Sequence, residues 1–329
     1  LRRREFISLI AVAATWPVMV HGQETGRVRR IGALSNLSES DPEIKRRNEA
    51  FESGLRERGW INGRNLLIDY RWSSGNSDKL QSDAAELAAL KPDLVFATSG
   101  VSILPLQQAS PNVPLLFAQT IDPVGLGVVE SLSHPGGNAT GFTALEFGIT
   151  AKWLELLKQI APRTTRVAVL RDPFDPAGIG QWAAAQPVAP VLNVDLSAVN
   201  IRDPAALESG IERIAKVPNA ALLITSSSPG ALHRNLITGL AARHRLPAIY
   251  PSRNFVTAAG GLLGYGPDPT EQYGRAAVYA DRLLRGEKPG DLPVQAPTKY
   301  ELVINLKTAK ALNLDAPATL LAQVTEVIE

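Results

Sequence analysis

The chain has 329 residues, 34 Lys and Arg against 32 Asp and Glu for a formal charge of +2, with 45% hydrophobic and 20% charged residues. That length is comfortable for two domains that each bury a core, and the composition excludes the disordered class. The near-neutral balance gives no reason to invoke nucleic acid or an acidic membrane, and the absence of cysteine excludes disulfides, thiolate metal sites and a lipidated N-terminal cysteine.

The N-terminus sets Arg2, Arg3 and Arg4 before an apolar stretch that Pro17 interrupts and His21-Gly22-Gln23 closes. A basic head, a short apolar core and a small residue form an export signal. The expectation is a leader over residues 1–22, cleaved near Gly22, and a soluble periplasmic chain from Gln23. Its removal would bring the formal charge close to zero. Arg3-Arg4-Glu5-Phe6-Ile7 also resembles a twin-arginine signal, with an ordinary Sec signal as the alternative. No later stretch is long and apolar enough to span a membrane.

Val28 to Leu34 predicts a strand that stops at Ser35-Asn36, and Asp41-Pro42 then opens a helix with Ile44, Phe51 and Leu55 on one face and an end at Gly59. Leu66–Tyr70, Asp78–Leu90, Asp93–Thr98 and Val113–Ala118 continue as strand, helix, strand and strand. The order returns further on. Thr165–Leu170 reads as a strand ending in Arg171-Asp172-Pro173, Asp203–Lys216 as a helix, Ala220–Ser227 as an echo of Asp93–Ser99, and His244–Tyr250 as an echo of Asn112–Phe117. Pro187 is expected to kink or end the helix in which it falls.

These patterns predict an α/β fold of two similar, doubly wound parallel-sheet lobes joined by a hinge, with helices on both faces and the loops at the carboxyl ends of the strands facing one cleft. Gly136–Gly141 is the expected first crossing between lobes and Gly264–Asp268 the second, after which a helix over Pro269–Leu284 returns to the first lobe. The division is then 28–140 plus 269–295 for the first lobe and 141–268 plus 296–329 for the second.

Several segments, taken in order, resemble the ABC transporter substrate-binding family that includes tryptophan- and tyrosine-binding transport proteins. They are Arg3–Ile7, Ile121-Asp122-Pro123-Val124-Gly125, Lys152–Lys158, Ala241–Pro247 and Leu302–Leu312. The resemblance implies a type I periplasmic binding protein fold with three crossovers, a small-molecule ligand held by hinge closure, and a membrane permease of an ABC importer as partner. It also places the C-terminal segment on the second lobe.

Candidate ligand residues follow from the strand ends. Thr98, Ser99 and Gly100 leave a strand where a short helix begins, so free N–H groups and hydroxyls face outward, a favourable place for a carboxylate. Ser35 and Asn36 end the first strand, whereas Ser38 and Asp41 read as caps. Thr120 and Asp122 follow the next strand, where Asp122 either pairs with a ligand ammonium or starts a turn before Pro123. The second lobe offers Asp172, Ser226, Ser227, Tyr250 and Asn254, with Tyr250 and Phe255 as a pair that could sandwich an aromatic body. Tyr265 and Asp268 lie at the expected hinge. Together these groups point to an amino acid or small carboxylate, aromatic in one version.

An enzyme on the same architecture is the main rival, but the sequence has no dinucleotide-binding glycine pattern after a strand, no P-loop and no G-x-S-x-G elbow. His134 precedes Pro135-Gly136-Gly137 in a loop, and His233 and His244 lie in helical contexts without a metal partner at i+4. No catalytic residue, cofactor or metal is therefore expected. A soluble sensor that hands its complex to a receptor is the other alternative. A monomer is expected, with no nucleic-acid partner.

Overall fold

The structure is a computed structural model, and it describes residues 27–329. The expected leader, with its twin-arginine pair and cleavage point, lies outside the described residues. The first half runs β1 (Arg29–Ser35), α1 (Pro42–Glu57), β2 (Leu66–Trp72), α2 (Ser77–Ala89), β3 (Leu94–Ala97), α3 (Ile103–Ala109), β4 (Leu115–Thr120) and β5 (Ala139–Thr143). The second half continues with α4 (Ile149–Ile160), β6 (Arg166–Arg171), α5 (Pro176–Ala185), β7 (Asp195–Asn200), α6 (Pro204–Ala215) and β8 (Ala220–Ile224). Then come α7 (Ser228–Leu232), α8 (Arg234–Arg243), β9 (Ala248–Tyr250), α9 (Asn254–Thr257), β10 (Leu263–Pro267) and α10 (Pro269–Leu284). The chain closes with β11 (Tyr300–Asn305), α11 (Leu306–Ala311), α12 (Ala318–Leu321) and β12 (Glu326–Ile328).

Two sheets result. The first has the order β2-β1-β3-β4-β5 with every pair parallel. The second repeats that order as β7-β6-β8-β9-β10, also parallel, and adds β11 antiparallel to β10 and β12 parallel to β11. The C-terminal strands thus extend the second sheet.

Both faces of each sheet are covered, which is why the central strands are continuously apolar. Side chains alternate across the pleat. In β3, Leu94 and Phe96 enter one core with Ile31 and Phe51, while Val95 and Ala97 enter another with Leu87 and Leu115. In β8, Ala221 and Leu223 join Trp153 and Ile249, while Leu222 and Ile224 join Leu207 and Ile237. Helix α10 returns to the first lobe. Its Tyr273 and Ala277 share a core with Phe51 and Leu55 of α1, and Phe96 stacks on Phe51 at 4.6 Å and meets Tyr273 edge-on at 5.5 Å.

Four helices open on the same Asp-Pro dipeptide. The carboxylates of Asp41, Asp175, Asp203 and Asp268 accept from the backbone N–H two residues on, at 2.9 to 3.0 Å. An N-cap acceptor and a proline fixed at helical φ together set these starts. Helix α5 ends at Ala185, two residues before Pro187, which has no N–H to extend the hydrogen-bond ladder, although Gln186 between them keeps helical dihedrals.

The first crossing is displaced from its expected position. Ala139–Thr143 is the fifth strand of the first sheet, paired with β4, so the chain leaves this lobe only over residues 144–148. Gly136–Gly141 turns into that strand instead. The second crossing follows β10, and a third runs from Gln295 to Tyr300: Thr143 N–H donates to the Gln295 carbonyl at 2.9 Å, while Tyr300 begins β11 in the other sheet. Among the described residues no helix is long and apolar enough to cross a membrane.

Candidate functional site

The carboxyl ends of the parallel strands in both sheets converge on a cavity of about 430 Å³. The first lobe supplies Asn36 after β1, Ser73 and Asn76 after β2, Thr98, Ser99 and Gly100 after β3, and Gln119 at the end of β4. The second supplies Asp172, Phe174 and Asp175 after β6, Arg202 after β7, Ser226 and Ser227 after β8, and Pro251, Ser252 and Phe255 after β9. Strand direction explains this convergence, since parallel sheets present their loops at one edge.

On the first-lobe wall Thr98 is buried and its hydroxyl donates to the Leu34 carbonyl at 3.2 Å, and the Ser99 and Ser102 hydroxyls lie 2.9 Å apart. Gln119 sits at the register irregularity between Phe117 and Thr120 with φ of 57°, a conformation that costs energy for a residue with a Cβ. Its side-chain amide donates to Gln272 of α10, which in turn donates to the Thr143 carbonyl at 2.7 Å. Cavity wall, hinge helix and first crossing are thereby tied together.

On the second-lobe wall Asp172 is buried; Oδ1 accepts from the Phe174 N–H at 2.9 Å, and Oδ2 lies 3.6 Å from Arg202. Arg202 also stands over the Phe174 ring at 5.7 Å. Burial raises the Asp175 carboxyl above its ordinary range, and the negative charge of Asp172 adds to this, against the Ala177 N–H and Arg202. Helix α5 can pack this close because residue 178 is glycine: a Cβ there would collide with the Asp172 carbonyl oxygen. Beneath, the fully buried Gln181 accepts from the Ser226 N–H at 2.9 Å.

The cavity also carries apolar surface. Val101, Leu104, Phe174 and Leu232 are exposed large apolar side chains, between 40% and 74%, and all four line it. Convergent exposed apolar groups with a few polar ones mark a ligand site. Across the mouth the lobes touch. Arg234 of α8 pairs with Asp41 at 3.4 Å, and Gly75 leaves room for Leu232, whose Cδ1 would lie 2.6 Å from a Cβ there.

Of the residues expected from sequence, Asn36, Thr98, Ser99, Gly100, Asp172, Ser226 and Ser227 are brought together around this cavity. The others are placed elsewhere. Ser35 is buried and its hydroxyl accepts from the Leu37 N–H, while Thr120 is fully buried at the end of β4, paired with Thr143 of β5. Asp122, at φ of 52°, folds back to accept from the Gly125 N–H at 2.8 Å, so the turn reading describes it. Tyr250 does not sandwich a ligand. It is buried in the core with its ring stacked 5.0 Å from Phe255, which alone of the two reaches the cavity.

Asn254 is buried at the start of α9, and Tyr265 stacks on Tyr300 at 5.8 Å while its carbonyl accepts from Trp153 Nε1. Asp268 caps α10 and binds Lys299 at 2.9 Å. Burial acts to raise its carboxyl, but Lys299 and the helix amides outweigh it and hold the group below its ordinary range.

Arg47, Gln119, Asp175 and Arg202 were not anticipated. Arg47 did leave a signal: it stands three residues after Ile44 and four before Phe51, a charge on the inward stripe of α1. Asp175 left one too, as an acid before proline three residues after Asp172. Among the described residues, no group of three or more potential His or carboxylate ligands could hold a metal ion.

Known proteins share this fold. Residues 37–328 match the family described as "ABC transporter substrate binding protein". A tyrosine-binding protein of Clostridioides difficile is 26% identical over 297 residues, 88% of this chain and 83% of that protein. Among solved structures, an ABC domain in complex with L-Trp from Streptococcus pneumonia superposes with a TM-score of 0.83 at 23% identity, covering 91% of this chain and 99% of that one. A conserved domain protein from Vibrio cholerae gives 0.84 at 23% identity, over 92% and 100%. The ligand-free, open structure of a substrate binding protein with adhesive properties from Clostridium difficile gives 0.67 at 23% identity, over 92% and 99%.

Proposed function

The chain belongs to the ABC transporter substrate binding protein family, and from that premise we propose that it captures an aromatic amino acid, or a closely related small carboxylate, between its lobes. The family is one of non-catalytic solute-binding proteins that bind a small molecule and work with the membrane permease of an ABC importer.

The observation that carries the ligand class is the mixed wall of the cavity. Val101, Leu104, Phe174 and Leu232 offer a surface for an apolar body, and Asp172 with Asp175 offers the acid that an ammonium needs. A volume of about 430 Å³ lies in the range of small-molecule sites. A tyrosine-binding relative and an L-Trp complex support the aromatic choice.

Both walls must contact one solute for it to favour closure, since only differential affinity shifts an equilibrium between open and closed lobes. The closed pair of lobes is then the form presented to the permease. Residues 1–22 support export to the periplasm, where the protein would act as a soluble monomer.

The test is thermal unfolding of the purified protein against a panel of amino acids, aromatic acids and neutral sugars. A ligand at about 100 times its Kd adds roughly 2.7 kcal/mol to stability, a shift of several degrees. A saturable shift confined to aromatic amino acids or their carboxylate relatives is the expected result. A shift with sugars alone would overturn the ligand class.

A further inference from the structure

Arg47 is a charge where α1 should be apolar. Ile44, Phe51 and Leu55 bury the same face, and the Arg47 side chain is only 10% exposed, yet it borders the cavity. A guanidinium is costly to bury without full compensation, and here compensation is incomplete. Arg47 Nε donates to Glu43 Oε1 at 3.2 Å, but Arg46 Nη2 takes the other Glu43 oxygen at 2.6 Å. One carboxylate serves two guanidinium groups. Among the described residues no carboxylate or carbonyl oxygen accepts from the terminal nitrogens of Arg47. The guanidinium stands 6.0 Å from the Tyr273 ring and also acts on the Tyr273 hydroxyl as a neighbouring donor, but that hydroxyl is neutral and supplies no counter-charge, and it donates in turn to the Thr98 carbonyl at 3.4 Å.

The other wall has the opposite imbalance. Asp172 and Asp175 share Arg202, which is half exposed and already engaged with Asp172 and the Phe174 ring. On the first wall Glu43 stands between Arg46 and Arg47, so the surplus there is positive. A solute with an anionic and a cationic end would settle both surpluses at once.

We propose that Arg47 recognises the carboxylate of the captured solute through its terminal nitrogens and makes the first-lobe wall selective for an anion. This rests on the amino-acid reading above. The planar guanidinium fork matches a carboxylate in a way that neither an amide nor a sugar hydroxyl can reproduce. The solute then lies across the cleft, its carboxylate on the first lobe and its ammonium on the second, so loss of either charge weakens closure.

The test is calorimetric titration of the purified protein and of Arg47→Gln, Arg47→Lys and Arg46→Gln with L-tryptophan and with L-tryptophanamide, which keeps the ring and the ammonium but has no carboxylate. Arg46→Gln removes the same formal charge and the other partner of Glu43 without bordering the cavity. The unaltered protein should prefer L-tryptophan by about 10- to 100-fold. Arg47→Gln should erase that preference by weakening L-tryptophan alone, Arg47→Lys should retain part of it, and Arg46→Gln should retain it all.

Equal affinity of the unaltered protein for the two compounds overturns the proposal even if Arg47→Gln fails to fold, as does an Arg47→Gln protein that binds L-tryptophan normally or weakens both compounds alike. L-tryptophan binding with an indifferent Arg47 removes this assignment and leaves the capture reading intact. No binding of any aromatic amino acid removes both.

Discussion

The ion pair between Asp41 and Arg234 bridges the lobes at the mouth of the cleft, so it belongs to the closed arrangement and is absent once the lobes part. At 3.4 Å, with side chains 16% and 17% exposed, two unit charges at an effective dielectric near 20 attract by about 5 kcal/mol. Desolvation of both ends and the ordering of the arginine offset most of that, leaving about 1 kcal/mol, or about fivefold in ligand affinity. Asp41→Asn keeps an oxygen to accept from the Glu43 N–H and so preserves the start of α1, while Arg234→Gln keeps part of the aliphatic stem. Calorimetric Kd values for the tightest ligand of the panel, in the two single variants and the double, complete a cycle. Each single should lose about fivefold and the double no more than either, with the ligand-free melting temperature little changed. Higher salt should weaken the unaltered protein more than the double variant. A coupling within about 0.3 kcal/mol of zero, or equal losses in affinity and ligand-free stability, would refute the latch.

Further outcomes follow from the titrating and buried groups. Burial and Asp172 raise the Asp175 pKa, so its charged form is a penalty in the folded protein above the folded pKa and none below the unfolded value of about 4. Asp175→Asn should therefore raise the ligand-free melting temperature near neutral pH, with the gain vanishing toward pH 4, and should weaken an amino-acid ligand; thermal melts across pH and calorimetry check both. The Asp268 pKa is depressed, so its contribution is present above the unfolded value of about 4 and lost as pH falls through the folded pKa. Asp268→Asn should destabilise near neutral pH by at most about 1 kcal/mol, because Lys299 is more than half exposed, and the difference should close on acidification in a melt series. Trp153 is fully buried and donates to the Tyr265 carbonyl at 2.7 Å, so Trp153→Ala should cost about 3–5 kcal/mol in a urea titration.

Local chemistry was legible along the chain. Apolar runs gave the buried strands, and the Asp-Pro pairs at residues 41, 175, 203 and 268 cap helices as an N-cap and a proline should. The recurrence of strand and helix in the two halves became the same strand order in two sheets. Strand ends placed seven candidate residues on the cavity wall, because in a parallel sheet direction alone fixes which end is open.

What tertiary structure decided were the questions of pairing and partner. Whether Ala139–Thr143 was a crossing or a fifth strand depended on β4 lying beside it. Tyr250 had the chemistry of a ligand platform, but Phe255 stacks on it in the core, and Asp122 had the charge for an ammonium but spends its oxygen on the Gly125 amide. Arg47 shows the reverse. Its position on an inward stripe was written in the sequence, but only packing shows that Glu43 is shared with Arg46 and that the cavity lies beside it. Periodicity is a property of neighbours in the chain, whereas the cavity brings together two walls whose residues lie up to well over a hundred positions apart, and their meeting is set by the fold as a whole.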